Sequence, residues 1–213
     1  MPTSSSNRAA ATAGALALAC LPTPVVAQPL PVSLVTDRLS WEGTAEVYPP
    51  GRTLKIGVRT SIDPVGNVVS DSWPLEVGEA RGLRRMRIAD GEGTIERGGK
   101  SQPMPEAMRF EEQAQFAFYR FLQVAAQRAP DMAALGVDTF QVAGAPLTWF
   151  KIDRNGRIVG AVNEVPANGA TAYQQFRFDG FWKSRESIFP KHMEMRRDGR
   201  PFFTLDVASF HAG

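Results

Sequence analysis

The chain has 213 residues, with 24 basic and 22 acidic side chains, a formal charge of +2, 43% hydrophobic residues and one cysteine. So even a charge balance excludes a polyelectrolyte partner such as nucleic acid. A single cysteine, Cys20, excludes a disulfide framework and a cysteine-bound zinc.

Residues 1–27 read as a secretory signal peptide. Arg8 is their only charge, and the Ala/Leu-rich run over 9–21 is too short for a membrane span of about 20 apolar residues. Val25-Val26-Ala27 presents the small side chains that signal peptidase requires, so cleavage is expected after Ala27. The alternative is a lipoprotein anchored through Cys20, but in Ala17-Leu18-Ala19-Cys20 the leucine stands one place too near the cysteine. The mature chain of residues 28–213 has a formal charge of +1 once Arg8 is gone and is long enough for one domain with a real core. It is expected to be periplasmic and not an integral membrane protein.

Gln28-Pro29-Leu30-Pro31 opens an extended tail over 28–40. A single β domain follows over 41–213. Its first half is a meander of short alternating runs at 41–48, 54–60, 67–75 and 83–97, each read as a strand and separated by turns such as Pro49-Pro50-Gly51 and Asp63-Pro64-Val65-Gly66. At Pro105 the texture changes. The stretch 105–128 has no further Pro and no Gly, and Ala107, Phe110, Ala114, Ala117, Phe118, Phe121 and Ala125 recur at helical spacing. This predicts an amphipathic helix stopped by Pro130, with a second short helix at 131–135. Alternation then resumes from Phe140 to Phe210.

Two later hairpins are closely specified. A two-residue Asn155-Gly156 turn would pair Ile152 with Val159 and Phe150 with Ala161. At Arg197-Asp198-Gly199 a three-residue loop puts Phe189, Met193 and Met195 on the face of Phe203, Leu205 and Val207, with His192 opposite residue 204.

No catalytic motif is present: no Gly-x-Ser-x-Gly elbow, no His-Glu-x-x-His helix, no phosphate-binding Gly-rich loop and no calcium-loop spacing. In this register His192 and His211 are about 23 Å apart and on opposite sheet faces, so they do not share a metal. His192 beside Glu194 reads as a solvated strand face. Arg81, Arg84, Arg85 and Arg87 would suit an anionic head group. The favoured reading is a charged outer strand face partnered by Glu92 and Glu96. No cofactor, metal or enzymatic activity is expected.

The aromatic residues carry more information. Met108, Phe116 and Tyr119 lie about 160 to 240° around the helix from Phe110, at about 100° per residue. Two apolar stripes fit a helix held between layers, or one capping a curved sheet. The stripe of Phe110, Phe118 and Phe121 is the expected anchor, and Phe116 and Tyr119 are expected to face a ligand.

An early antiparallel meander, a central helical insertion and a second meander containing Tyr173-Gln174-Gln175-Phe176-Arg177-Phe178-Asp179-Gly180-Phe181-Trp182 and Ile188-Phe189-Pro190-Lys191-His192-Met193-Glu194-Met195 resemble the periplasmic lipoprotein-carrier (LolA-like) superfamily. The resemblance implies an α+β, mainly antiparallel β fold: a strongly curved sheet or incomplete barrel capped by the central helix, with acyl chains held in its apolar interior. It implies a carrier for a lipid or acylated protein; membrane proteins of the envelope are further candidate partners. Met108, Phe116, Tyr119, Phe150, Phe178, Trp182, Met193 and Met195 are the candidate cavity or lid residues. The alternative is a non-catalytic protein-protein interaction module of the cell envelope.

Overall fold

The computed structural model describes residues 37–145, 147–167 and 170–213. The expected signal peptide and most of the expected tail lie outside them. Twelve strands form one sheet, every adjacent pair antiparallel. The first meander is β1 (Leu39–Val47), β2 (Leu54–Ile62), β3 (Val68–Pro74), β4 (Arg84–Ala89), β5 (Glu92–Arg97) and β6 (Lys100–Pro103), with the short α1 (Glu79–Gly82) before β4. The second is β7 (Thr139–Gln141), β8 (Thr148–Ile152), β9 (Ile158–Ala167), β10 (Ala170–Ser184), β11 (Ser187–Arg197) and β12 (Arg200–Ala212). The helix α2 (Glu106–Ala134) links them. β1 pairs with β12, so the two meanders join through their terminal strands, and β6 and β7 become the edges.

The sheet is mainly antiparallel as expected, but it is open and not strongly curled, which corrects the expected half-barrel. The lengths explain why no curl is required. Twelve strands about 4.8 Å apart span about 53 Å. The 29-residue helix covers about 43 Å at about 1.5 Å per residue. With its connections it runs from one edge to the other across a single face.

The strand alternation is set by one-sided burial. In β1, Leu39, Trp41, Gly43 and Ala45 are buried while Glu42 and Thr44 are exposed. The run at 83–97 is a hairpin, not one strand, because Asp90 and Gly91 both take positive φ (51° and 80°) and reverse the chain.

Both hairpin registers differ in detail from expectation. Phe150 pairs with Ala161, but Ile152 pairs with Ile158 across a bulge, since Asp153 Oδ1 accepts from the N–H groups of Asn155 and Arg157 and lengthens the turn. At the second hairpin the turn is a two-residue Asp198-Gly199 with φ of 49° and 77°. By itself that turn would mix faces. A bulge after Met195 restores the phase, pairing Met195 with Phe203 and Met193 with Leu205, so the expected core face survives.

Pro130 does not stop α2. It costs one backbone hydrogen bond inside a helix that continues to Ala134 and ends where Gly136, at φ 75°, accepts the left-handed conformation. The buried arc also differs from the two opposed stripes expected. Phe116, Phe118, Tyr119, Leu122, Ala125 and Ala129 share one broad face on the sheet, whereas Phe110 is 47% exposed and Phe121 only partly buried. A helix crossing a broad sheet touches it over a wider arc than a coiled-coil seam does.

Candidate functional site

The interior is divided. Around Phe118 and Phe189 it is tightly packed: the Phe118 ring stacks on Phe176 at 4.2 Å and on Phe150 at 5.7 Å, and Trp41 of β1 stacks on Phe189 at 4.4 Å. The C-terminal half of α2 is pinned there by Gln123, whose amide donates to the Ile188 carbonyl (2.8 Å) and accepts from the Ile188 N–H (2.9 Å). The Gln123 side chain thus substitutes for a neighbouring strand.

Over β1 to β4 the packing opens. Between this part of the sheet, β12 and the N-terminal half of α2 lies a solvent-connected cavity of about 320 Å³. Trp41, Ala45, Val47, Ile56, Phe203 and Leu205 form one end of its floor, with Phe116 and Tyr119 above. The other end, Met86 apart, is polar. Ser70 and Ser72 of β3 and Arg84 of β4 face Glu112 and Gln115 of α2. Alternation explains Arg84: it shares the inward phase of Met86 and Ile88, while Arg85 and Arg87 point outward. The expected outer-face reading therefore holds for Arg85, which pairs with Glu96 in register and with Asp71 at 2.7 Å, and fails for Arg84.

Electrostatics follow from burial. Desolvation pulls the Arg84 pKa down and pushes the Glu112 carboxyl up, each partly offset by the charge of the other. Burial also raises the Tyr119 hydroxyl, which stays protonated, and Gln115 hydrogen-bonds to it. The rim of the cavity is latched by an ion pair between Glu111 of α2 and Arg197 of β11, and the Arg197 guanidinium lies 3.9 Å over the Phe202 ring.

A second cleft, of about 550 Å³, opens where β9 and β10 separate beyond the Gly160–Arg177 pair. Phe178, Phe181, Ile158, Val159 and Ile188 line it beside the charged Asp153, Arg157 and Asp179.

The candidate residues are thus dispersed. Phe116 and Tyr119 line the cavity, Phe178 lines the second cleft, and Phe150, Met193 and Met195 belong to the packed core at 0 to 1% exposure. Met108 is exposed, and Trp182 is half-buried, its Nε1–H donating to the Val207 carbonyl at 2.9 Å. Sequence reasoning missed Ser70, Ser72, Glu112 and Gln115. For Arg84 the signal was present in its phase with Met86 and Ile88.

On the outer face His192 lies opposite Asp206, not residue 204, because the two-residue turn and the bulge after Met195 each shift the register by one. Its Nδ1 is 2.6 Å from Asp206 Oδ1 and its Nε2 is 3.6 Å from Glu194, and the Asp206 contact raises its pKa. His211 is on the same exposed face, not the opposite one, since a bulge at Ala208 shifts the phase of β12. Among the described residues no group of three or more His, Cys, Asp or Glu could hold a metal ion, and no helix is long and apolar enough to cross a membrane.

No family model matches the chain, and no curated protein matches it. Its structure is similar to that of a LolA superfamily protein from Nitrosomonas europaea. The two are 12% identical, with 84% of this chain and 87% of that one covered and a TM-score of 0.46. A DUF1329 family protein from Desulfovibrio piger is similar at 9% identity, 84% and 87% coverage and a TM-score of 0.43. Both are likenesses of fold.

Proposed function

We propose that this protein is a non-catalytic carrier of the cell envelope that shelters the acyl chain of a lipid or lipid-modified protein in the cavity between α2 and the β1–β4 floor. The observation that carries the reading is the division of the interior. Around Phe118 and Gln123 the α2 contact is tightly packed, whereas the N-terminal half of the helix keeps an apolar floor roofed by Phe116 and Tyr119 and open to solvent; the second cleft, beside Ala126, carries the charged Asp153, Arg157 and Asp179. A cavity with an apolar floor and roof suits an apolar chain, whose burial there removes apolar surface from water. Burial of a chain there contributes about 0.8 kcal/mol per CH₂. The C-terminal half of α2 acts as the anchor through Gln123, and the N-terminal half, held by the Glu111–Arg197 latch, acts as the lid.

The test fills the cavity. Ala45 lies in its floor, so Ala45→Leu should abolish binding of a fluorescent acyl probe while shifting the urea midpoint little. Solvent extraction of the purified protein followed by mass spectrometry should release an acyl species. Unchanged probe binding in Ala45→Leu, with extracts free of acyl species, would sink the proposal.

One observation favours the second reading, an envelope interaction module: the stretch of β10 beyond Arg177 has no β9 partner and faces the larger cleft. An exposed strand edge of this kind can accept an added strand.

A further inference from the structure

We infer that the cavity takes a single-chain amphiphile with an anionic head, a carboxylate or a phosphate monoester, whose head is held by Arg84 and whose chain lies over β1 and β12. This rests on the reading that the cavity holds an apolar chain, and it names the chemistry of that chain's head.

The cavity is amphipathic along its length. Register places Ser72 beside Arg84 on the floor at one end and Ala45 beside Leu205 at the other. A ligand matching both ends must itself be amphipathic. Its size is bounded too. About 320 Å³ is at the low end of ligand cavities, which run from about 300 to 1,000 Å³, and suits one chain rather than several.

The charge of the head follows from what Arg84 lacks. Its guanidinium is half-buried, yet it makes no ion pair or side-chain hydrogen bond with any described residue. Five N–H donors are therefore available at the polar end. Arg97, its directly paired neighbour on β5, is an exposed second cation outside the lining whose charge acts on Arg84. The facing acid is Glu112, which is also without an ion pair and whose burial favours its neutral form. With Glu111 paired to Arg197, the charges left at this end are Arg84 and Arg97 against Glu112, one cation in excess. Ser70, Ser72 and Gln115 supply neutral hydrogen-bonding groups around the same point. Guanidinium matches carboxylate and phosphate by forked donation, so both heads fit the same site.

The experiment is calorimetric titration of the purified full chain, as matured in its host, at neutral pH with dodecanoate, dodecyl phosphate and methyl dodecanoate. At least one anion should bind about tenfold tighter than the neutral ester, and Arg84→Met should erase that advantage while leaving the ester affinity within about twofold. The stronger of the two anions then identifies the head. Equal affinity for the ester and both anions in the unsubstituted protein would overturn the assignment to Arg84 while leaving the cavity as an acyl site. Binding of none of the three would overturn both. Should Arg84→Met fail to fold, the anion-to-ester ratio of the unsubstituted protein decides alone.

Discussion

Asp71 illustrates how a single position acquires meaning only from its neighbours. Its carboxylate is 5% exposed on the outer face of the sheet, held by Arg85 through two contacts of 2.7 Å and by Arg59 at 3.4 Å. The Arg85 hydrogen bond, against opposing desolvation, depresses its pKa below the usual 3.8. The sign of the linkage follows. A carboxyl with a lowered folded-state pKa stabilises the protein above the unfolded value of about 3.9, and this contribution is lost as the pH falls through the folded value. Asp71→Asn should therefore cost about 1 to 3 kcal/mol at neutral pH, read from urea midpoints, and the difference should shrink below about pH 4. A constant difference across that range would show that the ion pairs are not its source. Arg84, one residue before Arg85, has the opposite fate because adjacent strand residues face opposite sides, so a basic cluster in sequence becomes two environments in space.

At the scale of the element, α2 is one helix with two mechanical halves. Its Gly- and Pro-free periodicity was legible, and so was its start at Pro105. Its rotation was not, because apolar residues lie around most of its circumference and periodicity alone does not choose among them. Contact with the sheet chose the arc containing Phe118, Tyr119 and Leu122. The substitutions should dissociate accordingly. Phe118→Ala removes a ring stacked on Phe176 and Phe150 and should cost about 3 to 5 kcal/mol. Phe116→Ala trims a cavity wall that is already partly unpacked, so it should cost less stability and change acyl-probe affinity more. Parallel urea and probe titrations of the two variants check this, and equal stability loss with unchanged affinity would make the whole helix ordinary core. The turn at Asn155-Gly156 is constrained by the same helix. A Cβ at Gly156 would meet Pro130 Cα at 2.8 Å, and its φ of 70° disfavours a side chain. Gly156→Ala should lower thermal stability by loosening this contact with the last turns of α2, as a drop in the melting temperature would show.

At the scale of the whole molecule, the carrier reading depends on export. The signal peptide expected over residues 1–27 predicts a mature protein that begins at Gln28 and is released in soluble form when the outer membrane is permeabilised. N-terminal sequencing tests this directly, and a diacylated Cys20 terminus would show that lipoprotein processing had occurred instead. The two-meander architecture has its own logic: β1 and β12 pair along their length, and the backbones of Arg38 and Gly213 exchange hydrogen bonds of 2.9 and 3.1 Å. The join between the meanders is thus made by residues at opposite ends of the described chain.

The sequence by itself determined the local choices. Period-two alternation specified most strands, period-3.6 spacing specified the helix, and the turns at Asn155-Gly156 and Asp198-Gly199 were legible, since each depends only on residues a few positions apart, although the turn at Asp90-Gly91 was read through as strand. Even the inward face of the β11–β12 hairpin was recoverable, although the bulge that secures it was not. Tertiary structure alone decided the rest. Whether the sheet curls or stays open depends on the edges β6 and β7 and on the reach of α2 between them. Whether Pro130 ends the helix depends on packing that tolerates its missing N–H. The cavity depends on groups from β1 to β4, β12 and α2 that no short-range pattern relates. Leu205 and Ala45 share its floor from 160 positions apart, and burial, which is a property of the assembled sheet and helix, made Arg84 a cavity residue rather than one more charge on a strand.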